Sequence, residues 1–133
     1  MKVNLIVSEE QRKEGYENVS LNQEGIESIP DSGCKELMID NVLEFAPEEI
    51  ATILLAKIRK GGALEIRSPD GQEIFRQFQT GSLNFEDVSA LLTGGRVRMT
   101  TLHQVRNFLE SNGLEIEFAS FNGPFYRVTA RRP

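Results

Sequence analysis

Asp40 and Asn41 close a short run, Lys35 to Asp40, whose centre Leu37-Met38-Ile39 reads as a buried strand. A carboxylate and an amide at a strand end can hold a polar ligand, and α/β sheets bind ligands beyond the carboxyl ends of their strands. The competing reading is a polar strand end that caps the next turn. Other chemistry-bearing residues are few. The one histidine, His103, sits just inside a capped helix with no acidic or nucleophilic neighbour, so a surface position is expected before a catalytic base. A single histidine excludes the two-histidine metalloprotease pattern. The one cysteine, Cys34, excludes an internal disulfide and a multi-cysteine zinc site. It precedes a buried strand and reads as a small apolar filler. Arg127, Arg131 and Arg132 cluster near the end of the chain; pairing with Glu115 and Glu117 is expected ahead of anion binding. No metal is expected.

These residues are carried by 133 amino acids, the length of one domain. The net charge of −5 argues against a nucleic-acid-binding face, which needs clustered Lys and Arg, and against docking on anionic lipid. The apolar runs, such as Ile53-Leu54-Leu55-Ala56, are far short of the ~20 residues that span a bilayer. The first residues run straight into a strand-like segment without a signal-peptide layout, so the cytosol is the expected location.

The elements that must position the candidates follow from local patterns. Val3 to Val7 is apolar and rich in β-branched residues, a buried strand. Glu17 to Leu21 suits a second strand, and Ile26 to Ile29 a strand stub. Pro30-Asp31-Ser32-Gly33 is a turn. Pro47 suits the first position of a helix that Glu48 and Glu49 favour through its dipole. Ile50, Ile53, Leu54 and Ile58 recur at helical spacing, with Lys57, Arg59 and Lys60 in the last turn and Gly61 as the stop. Ala63 to Arg67 is the next strand. Ile53, Leu54 and Ile58 should pack on Leu37, Ile39, Leu64 and Ile66.

Asp70 with Glu73 starts a helix with Ile74, Phe75 and Phe78 as its apolar face. Asn84 caps a short helix carrying Val88, Leu91 and Leu92. Thr101 with Gln104 caps another, burying Leu102, Val105, Phe108 and Leu109. Leu114 to Ser120 and Phe125 to Arg131 form a hairpin turning at Asn122-Gly123. Phe75, Phe78, Phe85, Phe108 and Phe118 sit mostly at core spacing. The order of elements predicts an α/β sheet, mostly parallel, with an antiparallel strand from the final pair.

Within this framework, Val42-Leu43-Glu44-Phe45, then Ile58-Arg59-Lys60-Gly61-Gly62-Ala63-Leu64-Glu65-Ile66 and Pro69-Asp70, resemble the class I S-adenosylmethionine-dependent methyltransferases. In that family a "VLEH"-like turn follows the fourth strand and an "L(R/K)PGG.L.I..PD" run forms the fifth. Val3-Asn4-Leu5-Ile6-Val7-Ser8 and Gly15-Tyr16-Glu17-Asn18-Val19-Ser20 resemble the family's "LNLG.G" and "GY.NVD". Asn112-Gly113-Leu114 resembles the entry to the sixth strand. The resemblance spans the chain and implies a three-layer Rossmann-like methyltransferase fold, mostly parallel, with an antiparallel C-terminal strand and a reduced N-terminal half.

It also implies S-adenosylmethionine as cofactor, lying across Ser8, Glu9, Ser20, Asp40 and Asn41. Glu44 would orient the turn after the fourth strand. The departures fall at that edge. Ser8-Glu9-Glu10-Gln11 replaces a glycine-rich loop. Ser20 replaces the acid that accepts hydrogen bonds from the ribose, Phe45 replaces the histidine, and the first helix is almost absent. The expectation is a non-catalytic or very weak homologue acting as a binding or structural module. The alternative is an active small-substrate methyltransferase with a non-standard cofactor loop. The short first connection also predicts an under-covered apolar face near Val3, Leu5, Val7 and Val19, covered by a homodimer or another protein partner.

Overall fold

The computed structural model describes all 133 residues, Met1–Pro133. The strands are β1 (Lys2–Ile6), β2 (Glu17–Ser20), β3 (Cys34–Asp40), β4 (Ile58–Pro69), β5 (Glu115–Asn122) and β6 (Phe125–Arg131). They form one sheet in the order β2-β1-β3-β4-β6-β5. β2, β1, β3 and β4 run parallel, and β6 is antiparallel to both β4 and β5. The helices are α1 (Gln23–Glu27), α2 (Glu48–Leu55), α3 (Gly71–Gln79), α4 (Phe85–Leu92) and α5 (Leu102–Ser111). This is the expected α/β architecture, with the antiparallel strand next to the edge.

Alternation along each strand sorts the side chains. Register aligns Val3 with Leu37, Leu37 with Leu64, and Leu64 with Ala130. These residues share one face and one core cluster with Ile26 and Ile29, with Leu54 and Leu55 of α2, and with Val105 and Leu109 of α5. α1, α2 and α5 therefore cover the same face. The opposite face is mostly polar: Asn4, Glu65 and Thr129 lie in one row with Met38 between them, and Asp40, Arg67 and Arg127 lie in another. The reduction of the N-terminal half falls there, where the layer is thinned to the Val7–Tyr16 connection. An exposed sheet face is stable only if it is polar, and here alternating charges supply that polarity.

Three expected elements differ in the structure. Ile26 to Ile29 is not a strand stub. Asn22 accepts the Gly25 amide at 2.7 Å and caps α1, which buries Ile26. α2 ends at Leu55, so Ile58 to Gly61 are strand residues and not its last turn. Pairing with β3 overrides helix propensity: Ile58 pairs with Cys34, and a bulge follows before Ala63 pairs with Glu36. The C-terminal end of α2 is held from a distance instead. Arg132 Nη1 donates to the Leu55 carbonyl at 3.3 Å and to the Ile58 carbonyl at 2.7 Å. Ile53 consequently faces solvent while Leu54 is fully buried. In β5 a bulge between Ile116 and Phe118 turns Phe118 outward, breaking the expected alternation.

Phe75, Phe78 and Phe85 are also exposed, and α4 buries no residue. α3 and α4 pack on each other beyond the carboxyl end of β4, away from the main core. Finally, the face expected to need a partner is covered from within. Val3 and Leu5 are fully buried, Val19 packs on the same core, and only Val7 of the four is exposed. No helix is long and apolar enough to cross a membrane.

Candidate functional site

The parallel strands β1, β2, β3 and β4 end on one side of the sheet, and all five expected site residues lie there. β1 ends at Ile6, and Ser8 begins a single 3-10 turn, Glu9–Gln11. Gln11 Oε1 accepts the Ser8 amide at 3.2 Å and the Val7 amide at 2.7 Å, closing a capping box. Glu9 is ion-paired with Arg12, whose hydrogen bond holds the Glu9 carboxyl below its ordinary value. Ser20 ends β2, where its carbonyl is crossed closely by α1. A Cβ added at Gly25 would lie 2.1 Å from that oxygen.

Asp40 and Asn41 end β3. Asp40 is bonded on both oxygens: Lys13 Nζ reaches Oδ2 at 3.0 Å and Arg67 Nη1 reaches Oδ1 at 3.2 Å. Asn41 adopts φ 59°, a left-handed conformation that asparagine tolerates. Its Oδ1 accepts from Arg96 Nη2 at 2.9 Å. So the structure brings the five residues to one edge, with Ser8, Glu9, Asp40 and Asn41 each engaged by the chain itself.

The connection from β1 to β2 runs back over the polar face. Asn4, almost wholly buried in β1, donates through Nδ2 to the Gln11 carbonyl and to Asn18 Oδ1, each at 2.9 Å. Asn18 Oδ1 also accepts the Lys13 amide at 2.9 Å. Tyr16 Oη donates to Glu36 at 3.1 Å, and burial with that carboxylate raises the phenol's pKa. This polar staple spans the β1–β2 connection and brings Lys13 to Asp40.

Glu44 is the residue that sequence reasoning undervalued. The resemblance implies only a turn-orienting role for it; the side chain is fully buried. Ser68 Oγ donates to Oε2 at 3.0 Å and Thr100 Oγ1 donates to Oε1 at 2.8 Å. Thr100 Oγ1 lies 2.7 Å from the buried Tyr126 hydroxyl. The Glu44 carbonyl accepts the Val97 amide at 2.7 Å. Burial raises the Glu44 carboxyl, opposed by the two hydroxyl donors and by the Arg96 charge. Burial likewise raises Tyr126 well above the ordinary phenol range. Glu44 thus ties the turn after β3 to β4 and to the segment before α5, and through Thr100 to β6. The only signal for this burial was its place in Val42-Leu43-Glu44-Phe45, between apolar residues.

His103 is exposed and its ring lies 3.2 Å from Asn107. Cys34 is buried, and burial raises its thiol pKa. Of the arginines, Arg131 pairs with Glu117 as expected, whereas Arg127 pairs with Glu65 and Arg132 serves α2. No group of three or more His, Cys, Asp or Glu side chains is placed to hold a metal ion.

No protein-family model matches the chain. No curated protein matches it in sequence either. Solved structures do match. An S-adenosylmethionine-dependent methyltransferase from Archaeoglobus fulgidus superposes with a TM-score of 0.63 at 14% identity, covering 97% of this chain and 75% of that one. One from Mesorhizobium loti gives 0.64 at 13%, covering 98% and 80%. One from Thermotoga maritima gives 0.62 at 16%, covering 100% and 73%. The strand order, the antiparallel β6 and these superpositions together establish that the chain has a class I S-adenosylmethionine-dependent methyltransferase-like fold.

Proposed function

We propose that this chain is a methyltransferase-fold module whose cofactor edge has been converted into internal structure, and that it acts by binding or scaffolding and not by methyl transfer. The observation that carries this reading is Asp40. The carboxylate at the end of β3 faces Lys13 and Arg67 instead of open space, and Lys13 is delivered by the same connection that replaces the glycine loop and first helix. Each ion pair is half-exposed and individually weak, about 0–1 kcal/mol. The obstacle to the cofactor is the path of the backbone more than the strength of either pair. The residues present do not fit the group: Glu9 adds negative charge beside the site, and Ser20 offers no carboxylate to the ribose.

An NMR titration of uniformly 15N-labelled protein with S-adenosylmethionine tests the reading. The amides of Ser8, Glu9, Ser20, Asp40 and Asn41 should stay in place at about millimolar cofactor. Saturable movement of these amides at micromolar cofactor would favour the active-methyltransferase alternative.

A further inference from the structure

Away from the strand ends of β1 and β2, a cavity of about 260 Å³ opens between α2 and α5. Its floor is Ile39 and Ile66 of the sheet, and its walls include Ala51 and Leu55 of α2 and Val105 and Phe108 of α5. Glu48 and Arg98 also line it. Arg98 Nε donates to the Ala46 carbonyl at 3.1 Å, which fixes the guanidinium and leaves both Nη atoms without a partner in the chain. The Glu48 carboxylate has no partner either, and the two charges do not pair with each other.

An apolar hollow bordered by one uncommitted cation and one uncommitted anion is complementary to a molecule with the same layout. We infer that this cavity binds a small zwitterion with an apolar body, an α-amino acid with a branched or aromatic side chain. Its carboxylate meets the Arg98 fork, a planar donor pair suited to carboxylates. Its ammonium meets Glu48, and its side chain enters the apolar hollow. A cavity of ~150 Å³ holds benzene, so the volume suits such a side chain. A ligand with one charge meets only one of the two groups, whereas the zwitterion gains both contacts, and specificity follows from that difference. The inference does not depend on whether S-adenosylmethionine binds.

The three methionines supply the test. Met99 lines the cavity, Met38 lies on the opposite sheet face, and Met1 is the N-terminus. In protein carrying 13C-methyl methionine, L-leucine or L-phenylalanine at up to about 10 mM should shift the Met99 methyl saturably and leave Met1 and Met38 in place. Hexanoate and hexylamine, each with one charge, should bind about tenfold more weakly or worse. Arg98→Gln and Glu48→Gln, both at the rim, should each weaken the amino acid about tenfold. A Met99 signal that neither amino acid moves overturns the inference. So does equal binding by hexanoate or hexylamine, or an unchanged affinity in both variants.

Discussion

Glu44 shows how much one side chain can hold. Its carboxyl is buried and its pKa lies above the ordinary value of 4.5, with burial as the main cause. A group whose folded pKa is raised binds its proton more tightly in the folded chain. The stabilisation from that proton is complete below the ordinary value and is lost as pH rises through the raised one. Glu44→Gln keeps an acceptor for Thr100 and removes the titration. As pH rises from 4.5 its urea stability should therefore fall less than that of the wild type. Equal falls in the two proteins would contradict the assignment. Thr100→Val removes the donor to Glu44 and the partner of Tyr126, so it should cost about 1–3 kcal/mol by the same measurement. A cost near zero would mean that the network is not closed in solution. At this scale Asp40 and Asn41 were legible as the polar end of a strand. Glu44 was not, because a carboxylate between apolar neighbours shows its burial only when Ser68 and Thr100, distant in sequence, come to meet it.

The elements were read well where a local signal and the tertiary fold agree. The caps at Asp70, Asn84 and Thr101 each start a helix as expected, with the cap side chain accepting the amide three residues on. The misreadings arose where pairing between distant segments decided. Ile58 to Gly61 carry the basic residues and glycine of a helix end, yet Ile58 pairs with β3 and the Gly61 amide donates to the Arg132 carbonyl, so the segment is strand. Leu54 and Ile53 separate the two readings by experiment. Leu54→Ala, fully buried, should cost ~2–5 kcal/mol, whereas Ile53→Ala, nearly half exposed at 45%, should cost under about 1 kcal/mol. Comparable losses at both positions would place the α2 face incorrectly. Gly25 tests the packing of α1. Alanine is the better helix former, but its Cβ would fall 2.1 Å from the Ser20 carbonyl. Gly25→Ala should therefore lower the melting temperature, and a rise would show that α1 does not lie against the end of β2.

For the molecule as a whole, the chain has the sheet order of the methyltransferase fold while its helices α1, α2 and α5 crowd onto one face. The other face is sustained by charge alternation and by the polar staple through Asn4, Asn18 and Lys13. The fold class was legible because strand sequence, connection lengths and the Ile58–Ile66 run all pointed the same way. Which face would be bare was not, because Val3 and Leu5 look equally apolar whichever layer covers them. The glycine-free connection after β1 was legible too, but not that its Lys13 reaches Asp40 across 27 residues of sequence. The proposal that the cofactor edge serves as internal structure is tested most directly by calorimetric titration of the whole chain with S-adenosylmethionine and its demethylated product. The account predicts no binding tighter than about millimolar for either, roughly −4 kcal/mol. A micromolar dissociation constant for either one would contradict it.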